Sequence, residues 1–101
     1  MDLEDYAKIL KELGHPSRLS VYKRLAKAGY DGLPVGNLQK ELGIPWSTLS
    51  HHISALVSVG LVKQRREGRV LYCVPQFETF NALVTYLSDE CCADEAASHK
   101  S

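Results

Sequence analysis

The feature that most constrains the fold is a pair of helical patterns separated by the tight turn Gly43-Ile44-Pro45. Residues 35–42 and 46–59 each carry apolar side chains at helical spacing, and Gly60 closes the second pattern. Glycine can adopt the left-handed conformation after a helix, and proline fits the first turn of the helix that follows. Two helices joined by about three residues around a glycine are typical of a helix-turn-helix.

A basic hairpin is predicted directly after this pair of helices. Residues 61–65 and 69–74 have strand-like patterns, and the turn between them centres on Glu67-Gly68, where glycine supplies the positive φ of a tight turn. Between residues 61 and 75, Glu67 is the only acid beside four bases, which are Lys63, Arg65, Arg66 and Arg69. A basic two-stranded ribbon in this place is typical of the wing of a winged helix-turn-helix.

Three further segments, residues 3–13, 16–28 and 77–87, repeat apolar side chains at helical steps. The loop Gly29–Leu33 is expected to be polar and exposed. The predicted fold class is therefore mainly α with a small β-hairpin, a winged helix-turn-helix in which the hairpin lies between the fourth and fifth helices. In the second helix, the side chains expected to face inward are Leu19, Tyr22, Leu25 and Ala26.

Length and composition fit one small domain. The chain has 101 residues, of which 45% are hydrophobic and 24% charged, as in folded proteins rather than disordered ones. We expect the winged domain to span residues 1–90 and residues 91–101 to form a flexible tail that begins with a cysteine pair. No apolar run approaches the roughly 20 residues that cross a bilayer, and the acidic start lacks the order of a secretory signal. The chain is expected to be cytoplasmic.

Charge is unevenly distributed along a chain whose formal net charge is zero. Residues 1–88 hold 11 basic and 8 acidic side chains, whereas the last thirteen residues hold four acids and one base. Because phosphate contacts act within about 8–10 Å, the local excess of bases near the hairpin matters more than the sum. The distribution therefore permits a nucleic-acid partner.

The helix over residues 46–59 combines a buried stripe with a polar face that carries no charged side chain. Leu49, Ile53, Leu56 and Val57 are predicted to form the stripe, and short polar residues including Ser58 occupy the opposite side. A solvated face without a partner is the alternative, but such faces usually carry Lys and Glu. Base edges in a major groove suit such hydroxyls and imidazoles, and arginines suit phosphate or a narrow minor groove. The predicted DNA contacts are Ser47, Thr48, Ser50, His51, Ser54, Arg65, Arg66 and Arg69.

Two aromatic neighbours on this helix are given structural roles. Trp46 lies at the core-side edge and is expected to pack, and His52 is expected to be partly packed. His51 and His52 point about 100° apart, so they cannot both bind one ion as an i, i+4 pair would. With no nucleophile–base pair and no closed set of metal ligands, an enzyme is the least expected class.

The combination of motifs resembles the ArsR/SmtB family of metal-responsive repressors. The residues that carry the resemblance lie in the segments 13–19 (LGHPSRL), 47–53 (STLSHHI), 60–62 (GLV) and 65–72 (RREGRVLY), and it covers about residues 3–88. It implies a homodimer in which the first and last helices pair the subunits. It also implies binding to a palindromic double-stranded DNA operator, with release when an inducer binds.

The inducer sites familiar in that family are absent from this sequence. Residues 33–38, at the start of the helix before the reading helix, contain no cysteine, and residues 80–89 contain no histidine. What remains is Cys91-Cys92, which resembles the C-terminal vicinal cysteines of arsenite sensors. Trivalent arsenic and antimony are soft, and thiolates are their preferred ligands. The resemblance thus implies As(III) or Sb(III) as inducer, with no resident cofactor required.

Several alternatives stay open at this point. A third ligand could be His99, water or hydroxide, or Cys73 of the other subunit, because in its own subunit Cys73 lies about 22 Å from Cys91 along the last helix. Cys73 could equally be a small core hydrophobe. The pair at Cys91-Cys92 could be incidental or a thiol switch responding to peroxide or persulfide, although Asp89 and Glu90 should raise the thiol pKa. An inducer-independent regulator, or a winged-helix module that binds no DNA, also remains.

Overall fold

The computed structural model describes residues 1–98, which form six helices and one three-stranded sheet. None of these helices is both long and apolar enough to cross a membrane. The predicted mainly α winged helix-turn-helix is confirmed. In chain order the elements are α1 (Leu3–Leu13), α2 (Pro16–Ala28), β1 (Leu33–Pro34), α3 (Val35–Leu42), α4 (Trp46–Ser58), β2 (Val62–Glu67), β3 (Val70–Pro75), α5 (Phe77–Ser88) and α6 (Ala93–Ser98).

The sheet is antiparallel, with β3 between β1 and β2. Because Glu67 pairs with Val70, the hairpin turn consists of Gly68 and Arg69, one residue later than the predicted centre. Gly68 takes a φ of 61°, which confirms the reason for a glycine here. The prediction for the preceding loop is wrong at Leu33, which pairs with Cys73 and packs against the core instead of lying exposed.

A single hydrophobic core lies between the helices and the sheet, and every element from α1 to α5 contributes to it except the short strand β1, whose Leu33 packs at its margin. Burying one aliphatic side chain of this size contributes roughly 1.5–3 kcal/mol. The core is thus what holds α4 and the hairpin in fixed positions. Its fully buried members include Val21, Leu25, Leu38, Leu49, Leu56, Leu61 and Cys73.

Two predicted core positions are wrong. Leu19 on α2 is 43% exposed and Val57 on α4 is 39% exposed. In both helices the buried face is rotated toward a neighbouring polar residue, because Arg18 takes the inward position beside Val21 and His52 takes the one beside Ile53. A helical wheel identifies an apolar stripe, but the contacting element decides how much of it is covered.

The two helices that the resemblance assigns to dimerisation, α1 and α5, carry much of the exposed apolar surface. They contact each other through Tyr6 and Tyr86, whose rings stack with centroids 3.9 Å apart. A capping box formed by Asp2 and Asp5 fixes the start of α1. The exposed apolar side chains on these helices are Leu3, Leu10, Val84, Tyr86 and Leu87.

Candidate nucleic-acid interface and thiol site

The turn between α3 and α4 sets the direction in which α4 leaves the domain. Gly43 ends α3 in the left-handed conformation, with φ at 62°. The side-chain amide of Gln39 donates a hydrogen bond to the carbonyl of Ile44 at 2.9 Å, which braces the turn from inside. Pro45 then precedes the first residue of α4. The predicted turn chemistry is confirmed, and Gln39 is an additional brace that spacing alone did not reveal.

Helix α4 presents a polar face to solvent. Leu49, Ile53 and Leu56 are buried as predicted, and the first turn of α4 contains no acidic residue. A helix N-terminus without a carboxylate favours an approaching phosphate, because its free N–H groups and dipole are positive. The residues predicted to contact DNA on this helix, all exposed here, are Ser47, Thr48, Ser50, His51 and Ser54.

The three wing arginines are not equivalent. Arg65 is half-buried: it donates a hydrogen bond to the carbonyl of Asp31 at 3.3 Å, pairs with Glu67 at 3.3 Å and lies 4.8 Å from the ring centroid of Tyr72. Arg66 and Arg69 are exposed, and within residues 1–98 neither has an ion-pair partner. Arg65 thus ties the wing to the loop before β1, while Arg66 and Arg69 can reach an external anion.

A groove of about 340 Å³ lies between α4 and the wing, with Trp46 in its wall. Trp46, expected to pack at the core-side edge of α4, is 52% exposed and therefore packs only in part. Its position at the first residue of α4 explains this, because residues 45–48 are all exposed and the buried face of the helix begins only at Leu49. The groove is also lined by Ser50 and Ser54 of the polar face and by Gln64 of the wing. Trp46 and Gln64 are therefore further candidates for this interface, which the sequence interpretation did not name as contacts.

The cysteine pair lies in the turn between α5 and α6. Cys91 and Cys92 are exposed free thiols with their sulfur atoms 3.7 Å apart. The N–H of Cys91 donates to the carbonyl of Ser88 at 3.0 Å, and Cys92 takes a φ of 60°. Left-handed backbone is unfavourable for a residue with a Cβ. This turn therefore places both thiols on one short segment at some conformational cost.

Hydrogen bonding with Cys91, and to a smaller extent with Glu95, raises the pKa of the Cys92 thiol. The direction agrees with the sequence prediction, but the causes differ, because the prediction invoked Asp89 and Glu90. A raised pKa lowers the thiolate fraction at neutral pH. Cys92 is thus not tuned as a highly reactive nucleophile.

Of the other candidate side-chain ligands, Cys73 alone lies within the described residues 1–98. Cys73 is fully buried in β3, and burial raises the pKa of its thiol to about 11. This favours its interpretation as a core residue over that of a ligand reaching from a second subunit. His99 lies outside the described residues. Within residues 1–98 no group of three or more His, Cys, Asp or Glu side chains is arranged to hold a metal ion.

Comparison with known proteins places this geometry among DNA-binding regulators. Residues 13–65 match a family model described as a helix-turn-helix domain. Over 81 residues the chain is 35% identical to a Halobacterium salinarum protein assigned as the arsenical resistance operon repressor ArsR2, covering 80% of this chain and 66% of the relative.

Solved structures show the same arrangement. The transcriptional repressor PagR of Bacillus anthracis superposes with a TM-score of 0.70 at 29% identity, covering 84% of this chain and 94% of that one. The homodimeric winged helix-turn-helix DNA-binding domain of a Mycobacterium bovis protein superposes with a TM-score of 0.67 at 30% identity, covering 88% and 82%.

Proposed function

The chain belongs to the ArsR family of DNA-binding transcriptional repressors, and from this premise we propose that it is a homodimer that binds a palindromic operator and releases it when As(III) or Sb(III) binds Cys91-Cys92. The observation that carries the DNA-binding part is the exposed polar face of α4, which has no charged residue in the first turn. The proposal includes action by binding rather than by catalysis, in the cytoplasm.

Direct readout follows from the side chains on that face. Ser47, Thr48, Ser50 and Ser54 each offer one donor and two acceptors, and His51 offers a donor and an acceptor. Such groups hydrogen-bond to base edges in the major groove, whose donor and acceptor pattern differs for each base pair. Arg66 and Arg69 would supply phosphate contacts, which position the protein but carry no sequence information.

The exposed apolar side chains of α1 and α5 support the homodimer. Leu3 and Leu87 are 67% and 58% exposed, and Leu10 is also exposed. Apolar side chains exposed together on two helices that contact each other mark a candidate interaction site. A two-fold dimer would present two α4 helices to half-sites about 34–36 Å apart, which is one helical turn of DNA.

The operator proposal is tested by selection from a random-sequence duplex library, followed by footprinting on the selected DNA. We expect a palindromic footprint, with Ser50→Ala/Ser54→Ala losing discrimination at specific bases while Ser20→Ala, a hydroxyl lost from the outer surface of α2, changes nothing. If the folded protein selects no duplex, the chain is a winged-helix module of another kind and the proposal is wrong.

The inducer proposal rests on the two thiols in one exposed turn. Arsenite, As(OH)₃, would condense with both thiols to form two As–S bonds, releasing two water molecules and keeping one hydroxide on arsenic without any change of oxidation state. Soft thiophilic ions prefer such ligands. Ligation next to α5 would alter how the two subunits pair, and hence the spacing of their α4 helices. Coupling free energies between sites are typically about 1–3 kcal/mol.

Native mass spectrometry tests the site without DNA. Wild-type protein should gain one arsenic per protomer, Cys91→Ser/Cys92→Ser should gain none, and Cys73→Ser should behave as wild type. Arsenic bound equally by the Cys91→Ser/Cys92→Ser variant would contradict the site. Loss of two hydrogens on peroxide treatment, with no arsenic bound, would instead favour the thiol switch.

A further inference from the structure

A buried arginine–histidine contact joins α4 to the two helices behind it. Arg18 on α2 is 8% exposed and His52 on α4 is 3% exposed. The Nε of Arg18 donates a hydrogen bond to Nδ1 of His52 at 3.3 Å. The same guanidinium forms an ion pair with the Glu12 carboxylate of α1 and donates to the Glu12 backbone carbonyl at 3.4 Å. One side chain thus connects α1, α2 and α4.

This contact requires a neutral imidazole. Arginine stays protonated and has only donors, so Nδ1 of His52 must be an acceptor and the ring proton must lie on Nε2. A second proton on Nδ1 would replace the hydrogen bond with two buried cations in contact. Burial, followed by the charge of Arg18, lowers the pKa of His52, and His15 and His51 act in the same direction.

The groups around His52 do not offset that added charge. Arg18 faces it from α2, and Glu12 of α1 is already paired with Arg18. The ring of His15, in the turn before α2, lies 4.9 Å from the His52 ring, and that of His51 lies 6.2 Å away on α4 itself. Nε2 of His52 is buried, and among the described residues it has no hydrogen-bond partner. Of the neighbours named, the one carboxylate is already paired with Arg18, so none of them compensates a second proton on His52.

We propose that Arg18 and His52 are positioning residues for DNA recognition, which hold α4 in its reading orientation only while His52 is neutral. His52 is adjacent in sequence to His51, which lies on the proposed reading face, so a displacement of His52 moves that face directly. The link to Glu12 also connects the orientation of α4 to α1, one of the helices proposed to pair the subunits. This inference rests on the proposed DNA-binding function.

The test compares a variant that cannot titrate at position 52 with two variants that change its neighbours. His52→Asn keeps an oxygen that can accept near the Nδ1 position and gains no charge. His15→Asn removes a neighbouring imidazole but leaves the contact intact. Arg18→Lys keeps the charge and loses the planar donor geometry. The probe is a fluorescein-labelled duplex that the wild-type protein has selected from a random library, and affinity is measured by anisotropy from about pH 7.5 to 5.5, across the ordinary titration range of histidine. Circular dichroism restricts the comparison to folded protein.

Wild type and His15→Asn should lose up to about tenfold in affinity between about pH 7.5 and 5.5 relative to His52→Asn, because a histidine of ordinary pKa, about 6.5, that must be neutral for binding imposes at most about this factor one pH unit below that pKa. Arg18→Lys should bind about tenfold more weakly than wild type already at neutral pH. Equal pH profiles for wild type and His52→Asn would overturn the positioning role.

An independent readout is the His52 ring itself. Nitrogen NMR of the free protein at neutral pH should show the Nε2–H form, and an Nδ1–H form would also overturn the inference. If the library yields no bound duplex, the proposed function fails, whereas a bound duplex with pH-independent affinity refutes the positioning role alone.

Discussion

Removing the two free wing arginines should weaken the salt dependence of DNA binding by a predictable amount. Arg66 and Arg69 are exposed and have no ion-pair partner within residues 1–98, whereas Arg65 is engaged with Asp31, Glu67 and Tyr72. Each phosphate contact contributes about 0.9 to the slope of log K against log salt concentration. Two contacts per protomer make four per dimer, so Arg66→Ala/Arg69→Ala should lower the slope by about 3.6.

The same numbers give a difference in affinity. Over a fourfold rise in salt concentration, from about 50 to 200 mM, a slope difference of about 3.6 corresponds to a roughly hundredfold difference in the affinity that is lost. Wild type should therefore lose about a hundredfold more affinity than the double variant over this range. The assay is fluorescence anisotropy with the library-selected duplex at a series of potassium chloride concentrations.

A matched control separates local contact from net charge. Lys23→Ala/Lys27→Ala removes the same charge from exposed positions on α2, outside both α4 and the wing, and its slope should stay near that of wild type. An unchanged slope for Arg66→Ala/Arg69→Ala, or an equal reduction in the lysine control, would refute the assignment of phosphate contacts to the wing.

Titration of His52, access to the thiols and the exposed leucines each give a further measurable outcome. The free energy of unfolding should fall as pH drops below about 6.5, the ordinary histidine pKa. The reason is that the pKa of His52 is lowered in the folded protein, so the unfolded chain binds more protons at this residue. Chemical denaturation of His52→Asn should lack this component, and an identical decline in the variant would count against it. Iodoacetamide at neutral pH should label Cys91 and Cys92 but leave Cys73 unmodified in native protein. Cys73 is buried, and the pKa of its thiol is raised to about 11. Rapid labelling of Cys73, found by peptide mapping, would contradict its core position. Leu10→Glu/Leu87→Glu should shift sedimentation from dimer to monomer, because a charge would be desolvated at the proposed interface. The control Leu19→Glu changes another exposed leucine, on α2, and should stay dimeric. A double variant that still sediments as a dimer would place the interface elsewhere.

Local chemistry explains which parts of the fold were predictable. Helix α3, the turn at Gly43 and the start of α4 follow from glycine and proline at defined positions, and the structure has them where the sequence predicted. Strand β1 was not predictable, because Leu33-Pro34 is only two residues long and owes its conformation to pairing with β3, far along the chain. The sequence predicts a flexible tail over residues 91–101, and α6 (Ala93–Ser98) lies within that range; the flexibility itself stays a prediction.

The candidate site was predictable only in its exposed part. The polar residues of α4 follow from helical periodicity, since the buried stripe fixes the opposite face. The contact between Arg18 and His52 joins residues 34 positions apart, and no spacing rule connects them. The engagement of Arg65 with Asp31, also 34 positions away, is of the same kind. Long-range polar contacts of this sort depend on how the elements pack, which periodicity does not specify.

The central claim, an operator-binding repressor controlled at Cys91-Cys92, is tested most directly by one titration. As(III), Cd(II), Zn(II) and peroxide are added side by side to the complex of the protein with its selected duplex, and DNA release is followed by anisotropy. As(III) should release DNA from wild type at near-stoichiometric concentration and leave the Cys91→Ser/Cys92→Ser complex intact. Release of both complexes by As(III), or release of wild type by peroxide alone, would contradict it.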